Sequence, residues 1–144
     1  MAAHRNFYPE VGSLRKGVVH LYHRVTLGSS GAVSSQTAQA KSGLKVTKTA
    51  SKTGRYTVQL KAADDSAMDY YELLYAHAVV VGADDTAYTD AKGSLCLIRD
   101  IDVGEGAKDG TFEIQLVDPT DHADAEAIDN AKILIHVVLA TSSV

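Results

Sequence analysis

Apolar and polar residues alternate along much of this chain. From Gly17 onward, Val19, Leu21, Val25 and Leu27 fall on alternate positions with His23 among them, and His20, Tyr22, Arg24 and Thr26 take the positions between. A period of two predicts an extended strand with one dry face and one wet face. Gly28-Ser-Ser-Gly31 then reads as a turn. Leu44, Val46 and Lys48 alternate with Lys45, Thr47 and Thr49, and after Ser51-Lys-Thr-Gly54 the residues Tyr56, Val58 and Leu60 alternate with Arg55, Thr57, Gln59 and Lys61. Two short β-rich runs around a glycine-bearing turn predict a hairpin.

Residues 62–74 break the pattern. Asp65 or Ser66 can cap a helix, and Met68, Tyr71 and Leu74 sit three apart, so the spacing predicts a helix of one or two turns. Strand character returns over Tyr75–Val81. Leu95–Val103 is apolar on both faces at first and alternates later. Its beginning is expected in the middle of a sheet and its end nearer an edge. Gly104–Gly110 is a turn, Phe112, Ile114 and Leu116 mark another strand, and residues 118–131 form an Asp/Ala-rich loop. The last strand, Lys132–Ala140, is apolar on both faces, so it is expected to be central or to meet another subunit.

These elements predict an all-β protein: an antiparallel β-sandwich or small barrel of seven to eight strands with one short helix. No βαβ rhythm is present, which excludes a doubly wound fold. Residues 1–16 read as an N-terminal arm, with Phe7, Tyr8, Val11 and Leu14 as candidate anchors, and residues 17–144 as the sandwich domain.

The 144 residues fit one domain, and a 45% hydrophobic, 22% charged composition is an ordinary globular balance that needs no metal or disulfide to fold. The net charge of -4 argues against nucleic-acid binding, which needs a basic surface. The basic residues His4/Arg5, Arg15/Lys16, Lys41, Lys45, Lys48, Lys52 and Arg55 read as a solvated surface. Cys96 lies in an apolar run and reads as a small hydrophobe. The first residues lack the apolar segment of a secretory signal, and no run reaches the ~20 apolar residues of a membrane span. The expected setting is a cytoplasm, without a membrane partner.

Catalytic and metal motifs are missing from the sequence. Six histidines, His4, His20, His23, His77, His122 and His136, lack zinc-site spacing. His23, His77 and His136 fall mid-strand, where they can either converge or hold separate partners. The acidic stretch Asp118–Asp129 lacks the order of a calcium loop and reads as solvated. Asp64/Asp65, Asp84/Asp85 and Asp100/Asp102 are carboxylate pairs without the aromatic platforms a glycosidase cleft uses, since the chain has no tryptophan. There is no Gly-x-Ser-x-Gly elbow and no phosphate-binding glycine loop. The expectation is a non-enzyme without cofactors.

Several segments carry a resemblance. Gly-Ala-Val-Ser-Ser at 31–35, Thr-Gly-Arg-Tyr-Thr-Val-Gln-Leu at 53–60, Gly-Thr-Phe-Glu-Ile-Gln-Leu at 110–116, an Asp-Pro-Thr-Asp loop, and the chain end at 135–144 occur in that order. The chain over 17–144 resembles small β-rich virion structural proteins of tailed bacteriophages, some of which are head decoration or cement proteins. The resemblance implies a subunit, often trimeric, on the outer capsid surface, with the major capsid protein and sister copies as partners and assembly in the host cytoplasm. Candidate interface residues are Phe7, Tyr8, Val11 and Leu14 of the arm and Ile133, Ile135, Val137, Val138 and Leu139 of the last strand. Two other readings stay open. One is a different virion part, such as a head-completion, tail or fibre-base protein. The other is a carbohydrate-binding sandwich with a groove built from Tyr70, Tyr71, Tyr75 and Tyr88.

Overall fold

The computed structural model describes residues 17–61, 72–82, 93–103, 110–127 and 129–140. Eight strands form among them. In chain order they are β1 (Val18–Leu27), β2 (Val33–Gln36), β3 (Leu44–Lys48), β4 (Arg55–Leu60), β5 (Glu72–Val81), β6 (Leu95–Asp102), β7 (Thr111–Val117) and β8 (Lys132–Ala140). A four-residue helix, α1 (Gln39–Ser42), precedes β3. The strands make two four-stranded sheets, ordered β2-β1-β8-β5 and β3-β4-β7-β6, and every pairing is antiparallel. The expected all-β sandwich is therefore the architecture found.

The alternation explains the packing. Val25 and Leu27 of β1, Ile133, Ile135, Val137 and Leu139 of β8, and Ala78 and Val80 of β5 point inward from the first sheet. Leu44, Val46, Tyr56, Val58, Leu60, Phe112, Ile114 and Leu116 meet them from the second, and all belong to one core cluster. Each fully buried aliphatic side chain contributes about 1.5–3 kcal/mol relative to exposure. β8 lies between β1 and β5, so its inward row closes the centre of the core.

The expected β3–β4 hairpin is present, with Leu44 opposite Leu60 and Lys48 opposite Tyr56. Its turn needs Gly54, which has φ +63°. A Cβ there would also strike the Ala125 carbonyl and lie 2.9 Å from that of Leu116. The loop after β7 thus packs directly on the hairpin turn.

Two expectations are corrected. Leu95–Val103 does not begin in mid-sheet: β6 is an edge strand, and Leu97 is 50% exposed. Its apolar residues alternate normally, Cys96 and Ile98 packing on the core while Leu95 and Leu97 face outward. Leu74 belongs to β5, which starts at Glu72, and not to a helix; it is the extra residue of a bulge between Leu73 and Tyr75. The remainder of the predicted helix, Met68 and Tyr71 included, lies outside the described residues. The helix that is described, α1, and the edge strand β2 fall in Ser/Gln/Ala-rich sequence with almost no apolar signal.

Candidate functional site

Strands β1, β8 and β5 share one outward face. Their registers set it in rows across the three strands: His20–Val138–Tyr75, Tyr22–His136–His77, Arg24–Leu134–Val79 and Thr26–Lys132–Val81. Tyr22, 65% exposed, stacks on His136 with ring centroids 4.6 Å apart and planes 6° from parallel. His20 Nδ1 lies 3.1 Å from His136 Nε2. Tyr75 meets His136 edge-on at 5.5 Å and lies 6.3 Å from His77. Val79, Val81 and Leu134 extend the face as exposed aliphatics. An open hollow of about 350 Å³, lined by Tyr22, Arg24, Thr37 and Leu134 among others, borders it. Such a surface is flat, aromatic and rimmed by polar groups, the chemistry of a protein-contact patch.

On the inner side of β1 is a second constellation. Gln36 donates from Nε2 to the Val46 carbonyl and accepts the Val46 N–H at Oε1, at 3.0 and 2.9 Å. The amide is thereby oriented, so Oε1 also accepts the His23 Nε2–H at 3.0 Å. His23 Nδ1 is then an acceptor, and Ser42 Oγ–H donates to it at 2.8 Å. Serine, histidine and an orienting amide occur in the order of an acyl-transfer site. The hydroxyl, however, sits in a residue only 2% exposed and also accepts the Leu44 N–H at 3.2 Å. No substrate reaches it from solvent. The group instead ties β1, β2, α1 and β3 together where the two sheets meet. Burial lowers the proton affinity of His23, and its bond to Gln36 opposes part of that shift.

The outward face of the second sheet is ionic. Glu113 of β7, 8% exposed, lies between Arg55 of β4 at 3.3 Å and Arg99 of β6 at 3.8 Å. Arg55 also pairs with Asp124 at 3.0 Å, and Gln115 donates to the same carboxylate. The bond from Gln115, with Arg55 adding to it, holds the Asp124 carboxyl below the usual carboxylate range. Glu126 binds Lys48 at 2.7 Å, beside a buried Tyr56 hydroxyl that donates to the Gly31 carbonyl at 2.7 Å. The acidic loop is thus tied to the second sheet through Asp124 and Glu126, while residues 119–124 are exposed, as expected of a solvated loop. Asp118 and Asp121 accept N–H bonds from Thr120 and Ala123 of their own loop.

The predicted residues are placed as follows. Ile133, Ile135, Val137 and Leu139 are buried in the protomer core, which corrects their assignment to an interface; Val138 alone of that set faces outward, half-buried. Phe7, Tyr8, Val11 and Leu14 lie outside the described residues, as do Tyr70, Tyr71 and Tyr88. Of the three mid-strand histidines, His77 and His136 are cross-strand neighbours, whereas His23 points to the opposite side. His20 takes its place beside His136. Burial pushes the Cys96 thiol up to about 12, in keeping with a packing role. Among the described residues, no cluster of three or more His, Cys, Asp or Glu is arranged to hold a metal ion, and no buried side-chain polar atom lacks a partner. No described helix is long and apolar enough to cross a membrane.

Gln36 and Ser42 were not among the sequence-predicted site residues. Their only sequence signal was a polar stretch beside a histidine-bearing strand. Compared with protein families, curated proteins and solved structures, the chain matches none of them.

Proposed function

We propose that the chain is a structural subunit of a bacteriophage virion, of the capsid decoration type, that binds the outer capsid surface and stabilises the head. The observation that carries this reading is the exposed face of β1, β8 and β5, where Tyr22, Tyr75, Val79, Val81 and Leu134 stand together on a rigid sheet. A patch of this kind marks a contact surface. Repeated over a capsid lattice, contacts of modest strength add through effective concentration. The segments that resemble phage virion proteins fall on β2, β4, β7 and β8, so they belong to the scaffold that holds this face flat. The partners in this reading are the major capsid protein and sister copies in a trimer.

Counting the chain in purified particles tests the proposal. Hundreds of copies, lost from heads when Tyr22→Ala and Leu134→Ser are combined, are expected. Absence from particles, or a dozen or fewer copies at the neck or tail, overturns it.

A further inference from the structure

We propose that His20 Nδ1 and His136 Nε2 form a chelating pair for a borderline divalent cation of the zinc, nickel and copper group. Their separation is 3.1 Å. Two imidazole nitrogens bound to one tetrahedral ion at 2.0–2.1 Å each stand about 3.3 Å apart. Turning both rings so that their lone pairs converge on one point beside the pair converts the hydrogen bond into a chelate with little change in the nitrogen–nitrogen distance. The proton shared by the pair moves to the other nitrogen of its own ring, so the two histidines stay neutral and both lone pairs face the ion.

The pair is built to stay in place. β8 is held by ladders on both sides, to β1 and to β5. Tyr22 lies flat against the His136 ring, and Tyr75 closes on it edge-on. Both rings fix the imidazole plane without competing for its nitrogens. Imidazole ligands select zinc, nickel and copper over magnesium and calcium, which prefer oxygen. Since no third His, Cys, Asp or Glu among the described residues completes a cluster, the ion keeps open positions on the exposed side of the sheet. The site does not depend on the virion reading, because it follows from one chain alone.

Calorimetric titration of the untagged, EDTA-treated full chain with zinc chloride and with nickel chloride tests this. One ion per chain is expected at this pair, with no response to magnesium or calcium. His20→Gln and His136→Gln should each weaken it by about tenfold or more. His122→Gln, in the exposed loop, should leave it unchanged. Paramagnetic nickel should broaden amide signals of β1 and β8 around residues 20 and 136 before any others. Absence of saturable binding overturns the proposal. So does binding that survives both His20→Gln and His136→Gln, or that vanishes only with His4→Gln. Circular dichroism of each variant separates loss of the site from loss of the fold.

Discussion

The two outward faces of this sandwich rest on equally regular sheets and carry opposite chemistry. On the first sheet the rows are mostly tyrosine, histidine and aliphatic, with Arg24, Thr26 and Lys132 toward one end, and the ion pairs among the described residues all lie elsewhere. On the second, Arg55, Glu113, Arg99 and Gln115 satisfy one another together with Asp124 of the loop after β7. The second face satisfies its charges internally and leaves apolar groups in water along its edge strand, at Leu95, Leu97 and Ile101; the first leaves them across β1, β8 and β5. Stability and association should therefore map to different faces.

The largest effect is expected at Glu113. Its carboxylate is the shared partner of two guanidinium groups in a nearly buried position. Removing it leaves Arg55 with Asp124 and Arg99 with Asp100, but takes away the carboxylate that both guanidinium groups share in a nearly buried position. Glu113→Ala should cost about 2 kcal/mol in urea unfolding, the range of hydrogen bonds to charged groups, with no change in any association of the first sheet's face. A loss below about 0.5 kcal/mol, the range of ordinary surface substitutions, would show that the second face is not the stabilising one.

Ser42 comes next. Ser42→Ala leaves the buried Nδ1 of His23 without its donor and the Leu44 N–H without its acceptor. An unsatisfied buried polar group costs about 1–3 kcal/mol, measurable by the same unfolding. The hydroxyl's burial predicts that a serine-directed fluorophosphonate leaves the native chain unlabelled.

The same constellation sets a pH dependence. In the unfolded chain His23 takes up a proton near its ordinary value of 6.5, and in the native chain only at lower pH. Between those two values the unfolded state binds more protons, so stability falls as pH drops through that window. The slope is at most about 1.4 kcal/mol per pH unit from this residue. Unfolding at stepped pH checks it, and in His23→Gln that part of the slope should disappear.

Parts of this were legible in the chain. Parity alone assigned Val25 and Leu27 inward and His20 and Tyr22 outward, because a strand's side chains alternate whatever it pairs with. Parity cannot say which strands are neighbours. His20 and His136 are 116 positions apart in sequence and meet only because β8 inserts between β1 and β5. The same gap explains β6. Apolar residues on both faces are compatible with a central strand or with an edge strand whose outward residues stay exposed, and Leu95 and Leu97 took the second course. In β8 the inward Ile133 and Leu139 needed no partner chain, since the opposite sheet covers them. Gln36 and Ser42 were hidden for another reason: an edge strand of four residues and a single helical turn carry too few apolar positions to show a period.

The smallest effect on stability, and the sharpest separation of the faces, is expected at Tyr22. Its side chain is 65% exposed and its ring contact is with His136 on the surface. Tyr22→Ala should change unfolding stability by no more than about 0.5 kcal/mol. If this face is the contact surface, the variant should nevertheless bind its partner far more weakly, since exposed aromatic anchors dominate such interfaces. Sedimentation and particle loading measured beside urea unfolding separate the two properties. A Tyr22→Ala chain that loses stability like Glu113→Ala would make the aromatic face part of the protomer's own support. The contrast between a self-sufficient face and an unpartnered one would then fail at its centre, because the more exposed of the sheet's two described outward tyrosines would be holding the fold and not awaiting a partner.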